Sequence, residues 1–589
     1  MSFDLLVKNG LVFDGLGSAP VRATIAVRDG SVVAIEPGDA LRDAEAREII
    51  DTGGAWVVPG FIDLHTHYDA EIEVAPSLSE SLKHGVTSVV VGSCSLSLAL
   101  GDADELADMY CRVEALPDDL VRPLLRRVKD WDGHRSYFDH LASVPLGPHV
   151  ASFVGHSAIR AHVMGIERSL DANVHATPEE LQRMRALLEE GLDEGYLGLS
   201  VQTLPWDKMG GTRDYRSRPL PSTFAPWSEV KSLVRTVRER ERVFQGVPNV
   251  STKWNVLRFM RESIPWETLG LGRRKPLKTT VISMMDLVGS RGIHHLIGAL
   301  SSFVNRVLGG DFRWQALPEP FDLWADGLEL VVFEEFGAGA RALHEADPKA
   351  RSALARDPSY RRWFKDQWQN PFLPKAFHRN LALASVLSAP DASLAGRTFT
   401  EIGDARGTSA VEAFLDLVAR FGSALRWTTV MANDREEELE TIMAHPDVII
   451  GFSDAGAHLR QMAHYSFPLR MLLRVREAQA RGAPFMTAER AVERLTSEIA
   501  RWLGIDAGVL APGRRADLVV IDDARLSRDA LESVALAPME GFGGFERLVR
   551  SDGGAVRAVV VNGRVAAENG ALRPEVGRER GFGGVLRAR

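Results

Sequence analysis

The run Pro59-Gly-Phe-Ile-Asp-Leu-His65-Thr-His67 sets two imidazoles two residues apart. On an extended strand, alternate side chains share a face, so His65 and His67 converge while Ile62, Leu64 and Thr66 turn the other way. Paired neutral imidazoles at a strand end suit a borderline cation such as zinc. The Pro-Gly turn and the apolar run before them set this apart from a chance polar strand end. Far along the chain, Val448-Ile-Ile-Gly-Phe-Ser-Asp454-Ala-Gly-Ala-His458 ends another strand-like run in a carboxylate. Asp454 could touch a metal and carry a proton for it, or it could N-cap the helix that follows. Beside His65 and His67 the first role is the stronger.

Three further stretches carry candidate chemistry. Cys94 closes Thr87-Ser-Val-Val-Val-Gly-Ser-Cys94 at a strand end, where it is either a thiolate ligand or a small buried hydrophobe. Cys111, on a probable helix, reads as structural. In Phe153-Val-Gly-His156-Ser-Ala-Ile-Arg160, the guanidinium could pair with a substrate carboxylate and His156 could polarise a carbonyl or orient a ligand. The competing reading is a polar loop stitched by hydrogen bonds. Ser283, at the end of a later strand, is assigned to substrate binding.

These residues need strands whose carboxyl ends meet. From about residue 59 to 505, short apolar runs alternate with amphipathic stretches such as 178–195, 227–242 and 488–503. That alternation predicts a parallel sheet, most simply a closed eight-strand α/β barrel with functional groups at its carboxyl face. The predicted strands are 60–67, 87–94, 150–157, 197–203, 243–249, 279–284, 427–432 and 448–454. The interval 286–426 is too long for an ordinary connection and holds Trp314, Trp324, Trp363, Trp368, Phe372 and Phe377. It is either a lid or a packed subdomain, and its aromatics suit an apolar substrate wall or an oligomer contact. Both ends of the chain are β-rich, over 3–13, 23–35 and 46–58 and again over 516–522 and 556–563, and could share one small sheet. The predicted organisation is a small β-domain split between 1–58 and 508–589, with the barrel at 59–507.

Composition narrows the class. Lys plus Arg number 70 against 79 Asp plus Glu, a net charge of −9, which excludes a histone-like polycation, and the short Arg runs lack the motif support of a nucleic-acid face. Two cysteines give no disulfide framework. The first residues do not read as a secretory signal, and no uninterrupted apolar run of about 18 or more residues suggests a membrane span. A cytoplasmic protein without nucleic-acid partners is expected.

Taken together and in order, the motifs resemble the amidohydrolase superfamily, and within it the N-acyl-D-amino-acid deacylase (D-aminoacylase) branch. The matching pieces are Gly60-Phe-Ile-Asp-Leu-His-Thr-His67, His84-Gly-Val-Thr-Ser-Val-Val-Val-Gly-Ser-Cys94, Val154-Gly-His-Ser-Ala-Ile-Arg-Ala-His-Val-Met-Gly165, Glu194-Gly-Tyr-Leu-Gly-Leu-Ser200 and Ser453-Asp454. Gly513-Arg-Arg-Ala-Asp-Leu-Val-Val-Ile-Asp522 and Val559-Val-Val-Asn-Gly563 resemble the closing strands of the family's small β-domain. The resemblance implies a deformed (β/α)8 barrel with a small β-sandwich, and hydrolysis of the amide of an N-acyl amino acid. It also implies a Zn2+ centre of one or two ions, or another divalent metal. His65, His67 and Asp454 would serve one metal position and Cys94 its neighbour, with Asp454 doubling as general base. Departures are plain as well. Where the family has a histidine after its fifth strand, Val247-Pro-Asn-Val-Ser-Thr-Lys253 has none; His294 and His295 lie well past the sixth; and no lysine ends the fourth. Asp454 sits in Ser-Asp-Ala-Gly rather than Ser-Asp-Gly. The expected activity is hydrolysis of a small-molecule N-acyl amide. The alternatives are a hydrolase of cyclic or lipophilic amides, or a non-catalytic barrel that binds through its aromatic insertion.

Overall fold

The computed structural model describes residues 2–38, 40–41, 44–249, 252, 255–265, 274–373 and 375–589. Val250, Ser251 and Lys253, part of the stretch expected to follow the fifth strand, lie outside the described residues. An α/β fold carries the site. Parallel pairings run in succession: Phe61–Asp63 with Val86–Val91, and Val86–Val91 with His149–Ser152. The same stretch continues as Val154–Gly155, which pairs with Gly198–Gln202. The series goes on through Val243–Val247, Lys278–Ile282, Asp311–Ala316 and Val448–Ile450. Beyond a glycine, Phe452–Ala455 pairs with His65–Thr66, so the end of the series neighbours its start.

The seventh member differs from the sequence expectation. Asp311–Ala316 fills that place, while Arg426–Ala432 belongs to an antiparallel sheet with Phe321–Asp326 and Ala384–Ser388. Both stretches read as β-rich, and only long-range pairing distinguishes them. The long departure from the parallel series therefore runs from 317 to 447. It packs around its own aromatic centre: Phe333 has the rings of Phe336, Phe364, Trp368, Phe377, Phe414 and Trp427 within 5.5–6.3 Å of its centroid. Trp427 is fully buried and its indole N–H donates to the Gly327 carbonyl at 2.9 Å.

Helices form where the sequence caps them. In Pro178–Asp193, the Thr177 hydroxyl accepts from Glu180 N–H, the Glu180 carboxylate reaches back, and proline occupies the first position. Met184, Leu188 and Leu192 fall on one buried face of that helix.

Strands from both ends of the chain do share one sheet of nine, in which Trp56–Pro59 pairs antiparallel with Leu518–Ile521. Alternation lets it bury both faces. Val57, Leu518, Val520 and Val560 join a core with Leu5, Val7, Ile25 and Val27, while Val58, Val519 and Val559 face the main core. The last residues also pack inward: Leu586 N–H donates to Val150 O, and Leu586 and Ala588 lie buried with Ile62, Leu64, Phe153 and Leu197. No helix among the described residues is long and apolar enough to cross a membrane.

Removing the indole at the centre of the insertion leaves a large cavity. Trp427→Ala should lower unfolding free energy by about 3–5 kcal/mol in denaturant titration. Phe372→Ala, at a side chain 94% exposed, should stay within about 0.5 kcal/mol of the parent.

Candidate metal centre

His65 and His67 share a face, their ring centroids 5.5 Å apart, while Ile62 and Leu64 pack into the apolar cluster on the other side. The Nδ1–H of His65 donates to Gln315 Oε1 at 2.8 Å, which leaves Nε2 with its lone pair turned inward. Cys94 Sγ stands 3.3 Å from that Nε2. Asp454 Oδ1 lies 3.6 Å from His65 Nε2 and 3.3 Å from His67 Nε2. All of this is buried, the Asp454 side chain keeping 15% of its surface exposed.

The backbone is bent to make the meeting possible. Cys94, Ser95, Asp454 and His458 all have positive φ, at 52°, 68°, 58° and 46°, a conformation that non-glycine residues adopt at a cost and that gathers at functional sites. The turn after Asp454 passes so close to His67 that a Cβ on Gly456, itself at φ 93°, would lie 2.3 Å from the His67 carbonyl. Only glycine fits there.

The donor set suits a cation. His65, His67 and Cys94 bring their ligand atoms within 4.8 Å of one another. The 3.3 Å from Asp454 Oδ1 to His67 Nε2 matches the edge of a tetrahedron with metal–nitrogen bonds of about 2.0–2.1 Å, roughly 3.3–3.4 Å, and the 3.6 Å to His65 Nε2 is slightly longer. Asp454 Oδ1 and His67 Nδ1 are buried and accept or donate no hydrogen bond, so the carboxylate oxygen faces the imidazoles without being satisfied by them.

Electrostatics point the same way. Burial pushes the His65 imidazole down to about 4, so it stays neutral, the form that binds metal. Burial would lower His67 too, but the Asp454, Asp69 and Asp207 carboxylates outweigh it and raise its pKa. Burial would raise Asp454, yet His67, His65 and His458 hold it well below the usual carboxylate range. The Cys94 thiol is pushed up, first by burial and then by Asp207, Asp454 and Asp69. A pocket with this many acceptors and negative groups favours a positive charge, and a divalent ion would displace the protons of His67 and Cys94.

The other candidates from the sequence sit elsewhere. His156 is fully buried with both ring nitrogens engaged, Nδ1 with Ser222 Oγ at 2.9 Å and Nε2 with Glu229 Oε1 at 3.0 Å. Arg160, also fully buried, pairs with Glu229 and donates to the carbonyls of Ser169 and Val174. Neither is free to meet a substrate, and the polar-loop reading describes them better. They brace the Cys94 loop: Ser222 N–H donates to Ser157 Oγ, which bonds Ser95 Oγ at 2.7 Å. Ser283 directly follows the strand Lys278–Ile282 and is half-buried. Cys111 lines a cavity, its thiol pushed up to about 12 by burial.

That cavity, of about 440 Å3, is walled by Trp206, Asp207, Lys208, Arg112, Arg216 and His458, with Glu334 and Arg351 contributed by the insertion. Arg112 and Lys208 both pair with Glu334. Asp207 accepts from Gln202 Nε2 at 2.7 Å. Gln315, Asp207, His458 and Arg216 escaped the sequence reading. Gln315 was masked by the misplaced seventh strand; the other three lie in loops without periodicity.

With the geometry in hand, comparison with known proteins is informative. Over 572 residues the chain is 42% identical to an uncharacterized protein of Mycobacterium tuberculosis, covering 97% of this chain and 92% of that one. Residues 308–567 match the amidohydrolase family. The chain carries an amidohydrolase-family domain over that segment. It is 25% identical over 581 residues to N-acyl-D-aspartate deacylase of Alcaligenes xylosoxydans xylosoxydans, covering 97% of this chain and 94% of that one. The fold resembles N-acyl-D-glutamate deacylase of Bordetella bronchiseptica, solved with zinc and a phosphonate inhibitor, at a TM-score of 0.63, 23% identity and full coverage of both chains.

Two outcomes follow for metal binding. Gln315→Leu should weaken zinc affinity by about 10–100-fold in a competition titration, because His65 loses the partner that orients it. Since bound metal replaces protons on His67 and Cys94, affinity should fall as the medium is acidified from about pH 8 to about pH 6, with proton release detectable in weakly buffered solution.

Proposed function

We propose that this protein is an amidohydrolase that cleaves the amide of N-acylated amino acids, D-configured ones among them, with Zn2+ held by His65, His67, Asp454 and Cys94. The observation that carries the reading is the convergence of His65 Nε2, His67 Nε2 and Asp454 Oδ1 within 3.3–3.6 Å. We read the parallel series that returns to its first member as a deformed (β/α)8 barrel spanning 59–507, with a small β-domain built from 1–58 and 508–589.

Zinc in this position would supply Lewis acidity, polarising an amide carbonyl and acidifying water. The protein's own groups divide the remaining work. Asp454, held ionised by the facing imidazoles, accepts a proton and returns it to the leaving nitrogen. Gln315 keeps the His65 ring oriented and in one tautomer. The cavity beside the centre holds the substrate, with Trp206, Val331 and Leu343 as apolar wall for the acyl chain. In place of Arg160, Arg216 is the group proposed to meet the substrate carboxylate: it lines the cavity and its Nε is buried with no hydrogen-bond partner. The match of fold and sequence to deacylases of N-acyl-D-aspartate and N-acyl-D-glutamate supports an amino-acid leaving group.

Asp454→Asn should fold normally by circular dichroism and lose about 10²–10⁴-fold in turnover. Retained turnover would refute the assignment. A panel of N-acyl-D-amino acids, N-acyl-L-amino acids, long-chain amides and lactams should show activity on the acidic N-acyl amino acids. Arg216→Ala should raise KM for them and leave uncharged amides unaffected. Activity confined to uncharged amides would favour the cyclic or lipophilic alternative. Purified protein without metal, inert after zinc or manganese is added, would favour a binding role.

A further inference from the structure

A second cluster of metal-binding side chains lies outside this centre. His294 and His295 open the helix Ile293–Arg306, which follows the sixth parallel strand, and Glu438 stands on the neighbouring helix Glu436–Ala444. His294 Nε2 is 2.9 Å from Glu438 Oε2, and His295 Nε2 is 3.0 Å from the same oxygen. The three ligand atoms lie within 4.8 Å of one another, and the two rings are 4.1 Å apart by centroid. Consecutive residues in mid-helix point about 100° apart and do not share a partner. Here both rings turn to one carboxylate oxygen.

We propose that His294, His295 and Glu438 form a separate cation site that takes zinc or another borderline divalent ion. Two features of the surroundings support it. His294 Nδ1 is buried without a hydrogen bond, 3.4 Å from Asp286 Oδ1, so the ring's hydrogen bonding is confined to Nε2, on the Glu438 oxygen that it shares with His295. Asp286 is itself fixed by Arg435, at 2.7 Å to each oxygen, and by Arg291 at 2.9 Å. The second feature is access: His294 is buried while His295 is 58% exposed, so the ion would be reached from solvent and water would complete its shell. Arg435 Nη1, 3.4 Å from Glu438 Oε1, engages the other carboxylate oxygen and leaves Oε2 to the imidazoles. An ion here would tie the helix after the sixth parallel strand to the helix before the eighth.

The test is zinc content of full-length protein equilibrated with zinc and desalted. Wild type should hold one equivalent more than His295→Ala or Glu438→Gln, and both variants should hydrolyse amides at the wild-type rate. Asp454→Asn should keep the additional equivalent, which separates this site from the catalytic centre and from the fate of the proposed function. Zinc should raise the melting temperature of wild type more than that of either variant. Equal zinc content in wild type and both variants, or an equivalent lost only with Asp454 or Cys94 substitutions, would overturn the proposal.

Discussion

The structure depends on keeping lone pairs and negative charge together in a space nearly without water. Two imidazoles, a thiol and a carboxylate meet there, with Asp69 and Asp207 adding to the field. Burying such groups unpaired costs several kcal/mol each, so the pocket holds together only with protons or a cation between them. Protons satisfy it in one state, on His67 and on the Cys94 thiol. A divalent ion satisfies it more completely, and the rest of the fold can be understood as the frame that holds these groups at that separation.

The frame has three parts. The parallel series brings its first and last members side by side, so residues hundreds of positions apart face one another. Beneath the Cys94 loop, a buried network of Ser95, Ser157, Ser222, His156, Glu229 and Arg160 fixes a strained turn from below. Such a network stiffens the loop because every member is satisfied. The insertion, with its own aromatic core, supplies Glu334 and Arg351 to the cavity wall, and thereby shapes what can approach the centre without touching it.

Much of this was legible in the sequence where local pattern and chemistry coincide. His65 and His67 announce themselves by two-residue spacing on a strand, and Cys94 and Asp454 by their place at strand ends. The shared sheet of the two termini followed from matching β-rich texture. The seventh strand was misread because Asp311–Ala316 and Arg426–Ala432 have similar β character, and pairing partners are set by tertiary contacts that no window of sequence contains. With it went Gln315. His156 and Arg160 looked functional because imidazole and guanidinium near a strand end suit substrate binding; what decides their role is Glu229, a carboxylate 73 positions beyond His156. Arg216, Asp207 and His458 sit on loops, where side-chain direction is set by the surrounding fold.

The closing contact also constrains how the molecule comes into being. Ser453 donates to Asp63 across 390 positions, next to the site on both strands. During synthesis the first half of the pocket, with its unpaired imidazoles and thiol, must wait for nearly the whole of the remaining chain. The carboxylate of the site therefore joins the imidazoles and the thiol only when that strand docks, and a chain interrupted before it would carry His65, His67 and Cys94 without Asp454.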